Sequence, residues 1–421
     1  MTENASPPTR VLVLSGQRTV KMLKDRTDYE VVYADEGMSL DMLLLADFPL
    51  EVSFDDWEAL AVQVAQVHAQ RPLDAIVTGV DRLVPLAGML AERLGLTTGI
   101  TEEAARNCND KAATERLLEA AGVPVPEHRV VRSAVEGVAA AGEIGLPVVV
   151  KPRDGTSAAG LMHCETPEDV EEAVADILAD GRDSALIEEF LVGAEFGVFA
   201  SRVGGKTTVL YVVEGDVGPP PKFVKVGAWF PSTLADGQLA EIERLTDEAL
   251  TAVGLDNWVA SLQFMITEAG PKAGEINPRV SGGQGVELIA ATSGYEPTLV
   301  AVEAALGRHV TPTEPLAAAG LYRSIVFAEA GRVRYREDLL GSIEGLESPV
   351  PPFIEFDVRP GDAVLPINHP RGGAFGRVVL AGRSADELDR DYQRIITQLD
   401  LRVERAGAVE AKVERAHTSC C

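Results

Sequence analysis

Basic residues are in short supply in this chain. Its 38 lysines and arginines face 65 aspartates and glutamates, leaving a formal net charge of −27. Binding a phosphate backbone needs a basic surface, so the charge argues against nucleic acid as a partner. A single nucleotide is not excluded, because a few lysines and an arginine in one cleft hold a triphosphate on an acidic protein; otherwise the charge serves solubility. Cysteine is scarce too. Cys108, Cys164, Cys420 and Cys421 show neither metal-ligand spacing nor the density of a disulfide scaffold. Cys108 and Cys164 are expected to be small packing residues, and the terminal Cys420-Cys421 pair, which resembles a prenylation signal, is read as incidental to a charged tail. No apolar run approaches the roughly 20 residues that span a bilayer, and Met1 to Arg10 is polar, without a signal-peptide core. A soluble cytoplasmic protein with no membrane partner is the expectation. Two phosphate-binding motifs are also missing. Ser15-Gly16-Gln17 follows a short apolar strand but lacks G-x-G-x-x-G. Gly205-Lys206-Thr207 lacks the earlier glycine of a P-loop, since position 200 is Ala200, and β-forming residues follow it where a helix is required.

What is present is a chain of 421 residues, 46% hydrophobic and 24% charged, long enough for two or three domains. In its first hundred residues, apolar runs at Val11–Leu14, Glu30–Tyr33 and Asp74–Gly79 alternate with helical pattern, including a helix from about Asp55 to Gln70. That alternation implies a parallel sheet with covering helices. A helix opens at Lys111, capped by Asp110 or Asn109, and stops at Gly122. Another spans Ser133 to Gly145 and leads into Val148-Val149-Val150-Lys151-Pro152 and a glycine- and hydroxyl-rich stretch to Gly160. Strands are expected at Ala185–Phe190, Glu195–Val203, Thr207–Val213 and Trp258–Ile266, with Gly204-Gly205 as a hairpin turn and Gly270-Pro271 as another. Leu239, Ile242, Leu245, Ala249 and Val253 form one helical stripe. After Gly307 come strands near Leu321–Phe327 and Phe353–Val358 and a final helix, Ala385–Leu399. There is no internal repeat or long low-complexity tract.

The stretch Gly274-Glu275-Ile276-Asn277-Pro278-Arg279 carries the most chemistry. In an extended strand, Glu275, Asn277 and Arg279 share one face. Carboxylate and amide oxygens are the hard donors that Mg²⁺ prefers, and an arginine suits a phosphate or carboxylate. A solvated strand end with a chance ion pair would show the same alternation. Three other features precede it in the chain: Lys111 just inside a helix N-terminus, Lys151 at the end of a buried strand, and the acidic-apolar segment Glu188-Glu189-Phe190-Leu191 with Glu195. A lysine ending a Val-Val-Val run must find an anion or water. Lys111, Glu188 and Glu195 also fit ordinary surface positions.

In order and spacing these motifs resemble the ATP-grasp superfamily of carboxylate–amine ligases, over roughly residues 1 to 400. The sharpest parts are Val148–Pro152, Glu188–Glu195 and Glu275–Arg279. The resemblance implies an α/β and α+β chain: an N-terminal parallel-sheet domain (1–105), a two-lobed ATP-binding domain (106–306, with its lid at about 124–190) and a C-terminal α+β domain (307–421). It implies that Lys111 and Lys151 contact the ATP phosphates under a lid loop of Gly155, Thr156, Ser157 and Gly160. Glu188 and the backbone of Glu189 and Leu191 would meet the adenine edge, with Leu191 packing on the ring, and Glu195 would accept from the ribose hydroxyls. Glu275 and Asn277 would ligate Mg²⁺, which Mn²⁺ can replace, and Arg279 would steady the transferred phosphate. Ser281, Gly282 and Gly283, with Gln284, would hold the acid or its acyl phosphate, and Lys222, Lys225 and Trp229 would wall the substrate pocket.

One position departs from the family pattern. Gln263 stands where the family usually has a second metal carboxylate, and its oxygen ligates Mg²⁺ without bringing charge. The resemblance implies an L-amino-acid or dipeptide ligase, related to the biotin carboxylase fold, that acts on small-molecule carboxylate and amine substrates. A carboxylase or a purine-pathway ligase stays open, although no Met-Lys-Met biotinylation motif is present. So does a nucleotide-binding protein with little or no catalysis. The family often dimerises, so a homodimer is an expectation.

Overall fold

The computed structural model describes residues 7–154, 160–220, 223–280, 285–311, 313–369 and 372–405. It divides into two compact units, Met1–Val213 with Ser232–Glu314, and Glu214–Pro231 with Pro315–Cys421.

The first unit opens with a four-stranded parallel sheet in the order Phe48–Glu51, Tyr29–Asp35, Thr9–Leu14, Ala75–Val77. Val11 to Leu14 and Val31 to Ala34 are wholly buried, as unbroken apolar runs must be in a sheet covered on both faces. The helices Gln17–Lys24, Trp57–Gln70 and Val84–Leu94 accompany it, and Asp56 caps the second by accepting from the Ala59 N–H at 2.9 Å. The order of connection switches at Thr9–Leu14, which has Tyr29–Asp35 on one side and Ala75–Val77 on the other, all parallel. Open α/β sheets place ligands outside the C-terminal strand ends at such a switch point. Ser15 and Gly16 turn there in left-handed conformation, and Asp81 opens a single helical turn on the other side.

Next comes a four-stranded antiparallel sheet, ordered His128–Val131, Ala185–Glu189, Val148–Pro152, Met162–Cys164. The helices Ala134–Ile144 and Pro167–Ala179 close its own core around Val148, Val150, Val170, Val174 and Ile187. Ser133 caps the first of these helices and Gly145 follows its end, matching the sequence expectation to within a residue.

A second antiparallel arrangement runs Gly270–Asn277, Trp258–Thr267, Ala194–Val203, Lys206–Val217. Gly204 and Gly205, both at positive φ, join the last two strands as a two-residue turn. The next turn falls on Glu268-Ala269 rather than Gly270-Pro271, because Pro271 already pairs with Ile266 in the ladder. The helix Asp236–Ala252 buries Ile242, Leu245 and Ala249, the expected stripe. Gly193, just before this sheet, has a steric role. A Cβ there would lie 2.2 Å from the carbonyl oxygen of Ile266. Gly193→Ala is expected to cost about 1–3 kcal/mol through forced backbone displacement and to lower the melting temperature by about 5 °C. An unchanged melting curve would refute that role.

In the second unit, the end of the strand Lys206–Val217 pairs with Lys225–Phe230, followed by Ala319–Ser324, Gly376–Gly382 and Phe353–Phe356, all antiparallel. A small sheet of Ala363–Val364, Gly331–Arg334 and Arg402–Glu404 and the helix Ala385–Gln398 complete it. Leu321, Val333, Val378, Leu388 and Ile395 form its core. Trp229 lies under the Arg323 guanidinium, 4.9 Å from the ring centre, and packs against that core. Among the described residues, no helix is long and apolar enough to cross a membrane.

Candidate functional site

Three elements of the first unit bring the charged residues together. The helix Lys111–Ala120 starts at Asp110, whose carboxylate accepts from the N–H groups of Ala112 and Ala113 at 3.1 and 3.2 Å. The Arg153 guanidinium clamps the same carboxylate, its Nε donating at 3.2 Å, and the Lys111 N–H donates to the Arg153 carbonyl at 2.9 Å. The helix N-terminus is thus tied to the segment that follows Lys151. That hydrogen bond to Asp110 raises the Arg153 pKa above its ordinary value, against the smaller pull of burial.

The strand Val148–Pro152 alternates in burial, with Val148 and Val150 turned to the core and Lys151 to the other face. The Lys151 ammonium pairs directly with Glu188 and lies 3.7 Å from Glu115. Burial pulls the Lys151 pKa down, but the carboxylates of Glu188 and Glu115 prevail and raise it. Burial pushes the Glu188 carboxyl up, yet the adjacent ammonium wins and holds it below its ordinary value. Lys151 and Glu188 are therefore an ion pair at neutral pH.

The third element is the hairpin Trp258–Thr267 and Gly270–Asn277. Leu262 pairs with Ile276 and Phe264 with Ala273, so Gly274 and Glu275 together oppose the single residue Gln263. This bulge puts Glu275 on the face of Gln263, while Ser261 pairs with Asn277 two positions on. The core takes Leu262, Phe264, Ala273 and Ile276; Gln263, Glu275 and Asn277 face the other way. Glu275 Oε1 receives the Lys111 ammonium at 3.2 Å. Carboxylate and amide oxygens in this arrangement suit Mg²⁺. Only one of these three donors is charged, and no group of three or more His, Cys, Asp or Glu side chains that could hold a metal occurs among the described residues.

Arg279 reaches its position by another route than strand alternation. The strand stops at Asn277, and a tight turn follows in which the Arg279 N–H donates to the Asn277 carbonyl at 2.7 Å. Trp258 Nε1 anchors this turn on the Pro278 carbonyl at 2.7 Å, and the Ser261 hydroxyl donates to the Arg279 carbonyl at 3.1 Å. The Arg279 guanidinium then points to Asp81, Nε to Oδ2 at 2.6 Å, beyond the C-terminal end of the strand Ala75–Val77.

The other sequence-derived residues are placed as follows. Glu189 pairs with Lys272 at 2.5 Å, and its N–H is already committed to the Glu127 carbonyl at 2.8 Å, so that N–H is not offered to a base. Leu191 is half-buried in the segment joining the two antiparallel sheets, and Glu195 opens the strand Ala194–Val203 opposite Met265. Gly160 turns at positive φ beside Pro152. Gly155, Thr156 and Ser157, like Ser281, Gly282, Gly283, Gln284 and Lys222, lie outside the described residues, as does the Cys420-Cys421 end. Lys225 and Trp229 belong to the second unit's sheet. Cys108 and Cys164 are buried, and burial pushes their thiols up to about 12 and about 11, which keeps them unreactive.

Asp81, Glu115, Asp110 as a partner of Arg153, and His128 were not among the residues expected from the sequence. Two of these had a signal. Asp81 follows an apolar strand at the C-terminal edge of a parallel sheet, and Glu115 sits one turn after Lys111 on the helix face that buries Ala112 and Leu118.

The chain is similar to known proteins in sequence and in fold. Residues 144–287 match the ATP-grasp domain family and residues 45–98 the ATP-grasp N-terminal domain. An uncharacterized protein of Sinorhizobium fredii, y4rH, is 28% identical over 396 residues, 88% of this chain and 79% of that protein. A D-alanine–D-alanine ligase of Corynebacterium jeikeium is 31% identical over 226 residues, 51% of this chain and 60% of the ligase. The crystal structure of an L-amino acid ligase from Bacillus licheniformis superposes with a TM-score of 0.77 at 18% identity, over 96% of this chain and all (100%) of that one, which shows the shared fold.

Proposed function

Because this chain belongs to the ATP-grasp superfamily of ATP-dependent ligases, we propose that it joins a small carboxylic acid, an amino acid in the first instance, to an amine through an acyl phosphate. The observation that supports this most is the pairing of two lysine ammonium groups, Lys111 with Glu275 and Lys151 with Glu188, around one cleft. Each lysine exchanges a carboxylate for a nucleotide phosphate when the site fills. The acid's carboxylate oxygen attacks the γ-phosphorus, and the bond to the β–γ bridging oxygen breaks, releasing ADP. The amine nitrogen then attacks the acyl carbon, phosphate leaves, and the nitrogen loses its proton to solvent. Lys111, Lys151 and Arg279 neutralise and align the phosphates, which is most of what phosphoryl transfer asks of a protein. Glu275, Asn277 and Gln263 would hold Mg²⁺, which neutralises charge on the phosphate oxygens. Glu188, freed from Lys151, is placed to accept from the base.

Asp81 orients Arg279 in this scheme. Asp81→Asn keeps the shape and removes the charge, so kcat is expected to fall about tenfold with little change in the KM for ATP. A change confined to KM would contradict this role.

The single carboxylate of the metal-binding face also favours a second reading, a nucleotide-binding protein with little catalysis. Phosphate release measured with ATP, Mg²⁺ and pooled amino acids separates the two. Turnover that needs both an acid and an amine supports the ligase. ADP and ATP binding with no pool that stimulates turnover supports the binder.

A further inference from the structure

Glu115 is not among the residues that the proposed mechanism uses, yet it is one of the most buried acids in the molecule, its side chain 3% exposed. It lies one helical turn after Lys111, so one face of the helix Lys111–Ala120 offers an ammonium and then a carboxyl group. Lys111 meets Glu275 of the metal-binding strand, while Glu115 meets Lys151 at 3.7 Å on the strand Val148–Pro152. Across from it stands Glu188 on the strand Ala185–Glu189, itself paired with Lys151. His128, on the strand His128–Val131, brings its ring Nδ1 to 3.5 Å from Glu115 Oε2. The same nitrogen lies 3.1 Å from the Pro126 carbonyl. Glu115, Lys111 and Lys151 line one narrow crevice together with Glu275.

Two buried carboxyl groups around one ammonium raise a difficulty. When Lys151 turns to a phosphate, its partners are left without a counter-charge, and an unpaired buried carboxylate is costly. Burial, then the hydrogen bond with Glu188, lifts the Glu115 carboxyl well above the ordinary carboxylate range. Glu115 and Glu188 are in this way one pair of buried carboxyl groups around a single ammonium.

We propose that Glu115 is a positioning residue for Lys151 and Glu188: a neutral second carboxyl that donates to Glu188, so that the lysine leaves for a nucleotide phosphate without stranding a bare buried carboxylate. Glu188 then stays ionised both when it holds the lysine and when it faces a bound base. This inference rests on the reading of Lys151 as a phosphate contact.

Calorimetric titration of the full chain with ADP and Mg²⁺, alongside thermal melting without nucleotide, tests it. Glu115→Gln retains an N–H donor toward Glu188 and is expected to bind ADP within about twofold of the native chain. Glu115→Leu removes the donor at similar volume and is expected to bind about tenfold more weakly. Its nucleotide-free melting temperature is expected not to fall, because an apolar side chain replaces a buried polar one. The proposal is overturned if Glu115→Leu binds ADP like the native chain, if both variants weaken equally, or if Glu115→Leu does not fold, which would make the residue structural. Lys151→Met is the control. If Lys151→Met binds ADP normally, the nucleotide reading itself fails; if it loses ADP while Glu115→Leu does not, only the positioning role falls.

Discussion

Lys151→Met is expected to weaken ADP binding about a hundredfold and to lower kcat by about two to three orders of magnitude. The side chain keeps nearly the same length and apolar stem, so the change removes the ammonium and little else. A charge-assisted contact to a phosphate contributes about 1.5–3 kcal/mol, and the same charge acts again on the transferred phosphoryl group, where loss of one stabilising donor costs about 10²–10³ in rate. Stability is affected as well. Lys151 is the ammonium between Glu188 and Glu115, and taking one partner from a buried pair costs about 3–5 kcal/mol when a bare charge is left behind. Under the positioning role proposed for Glu115 that cost is smaller, because only Glu188 must be compensated. The melting temperature should therefore fall, with the chain still folded at room temperature. Calorimetry, steady-state kinetics and a thermal melt check the three parts. Native-like ADP affinity would remove Lys151 from the phosphate site.

The second large effect is expected from Glu275→Ala. Glu275 is the only carboxylate among the three donors on the bulged hairpin, with the amides of Gln263 and Asn277 beside it. Its loss takes the single negative charge from that donor set and also frees the Lys111 ammonium it holds at 3.2 Å. Turnover should drop about a thousandfold, and the Mg²⁺ concentration needed for half-maximal activity should rise steeply. Binding of metal-free ADP should hold or improve, since Lys111 no longer has a competing carboxylate. That opposite movement separates a metal ligand from a merely structural acid. If Mg²⁺ dependence is unchanged and metal-free ADP binds less well, Glu275 is not the metal-binding group.

Three strands of the parallel sheet were legible as continuous apolar runs, which only a doubly covered sheet accepts, whereas the half-exposed edge strand Phe48–Glu51 was not. The helix Asp236–Ala252 was legible from its 3.6-residue stripe, and Lys151 from a charge ending a Val-Val-Val strand. Glu275 and Asn277 do share one face, but period two was only part of the reason. Ala273 and Ile276, both buried, are out of phase with each other, and the bulge at Gly274-Glu275 restores the phase. That interruption could have been read in the sequence and would have foretold the bulge. Arg279 was expected on the same strand, and a tight turn places it instead. Asp81 and Glu115 were not legible as partners of Arg279 and Lys151, because those pairings join elements far apart in the chain and depend on how the helix Lys111–Ala120 and the parallel sheet pack. Local periodicity carries no information about such contacts.

A ligase of the proposed kind activates a carboxylate with ATP. Incubation with ATP, Mg²⁺ and amino acids labelled with ¹⁸O in the carboxyl group, followed by mass analysis of the released phosphate, tests it most directly. Attack of the acid on the γ-phosphorus predicts phosphate carrying one ¹⁸O, formed one for one with ADP. ADP released together with unlabelled phosphate would mean that water is the acceptor, and would contradict the account.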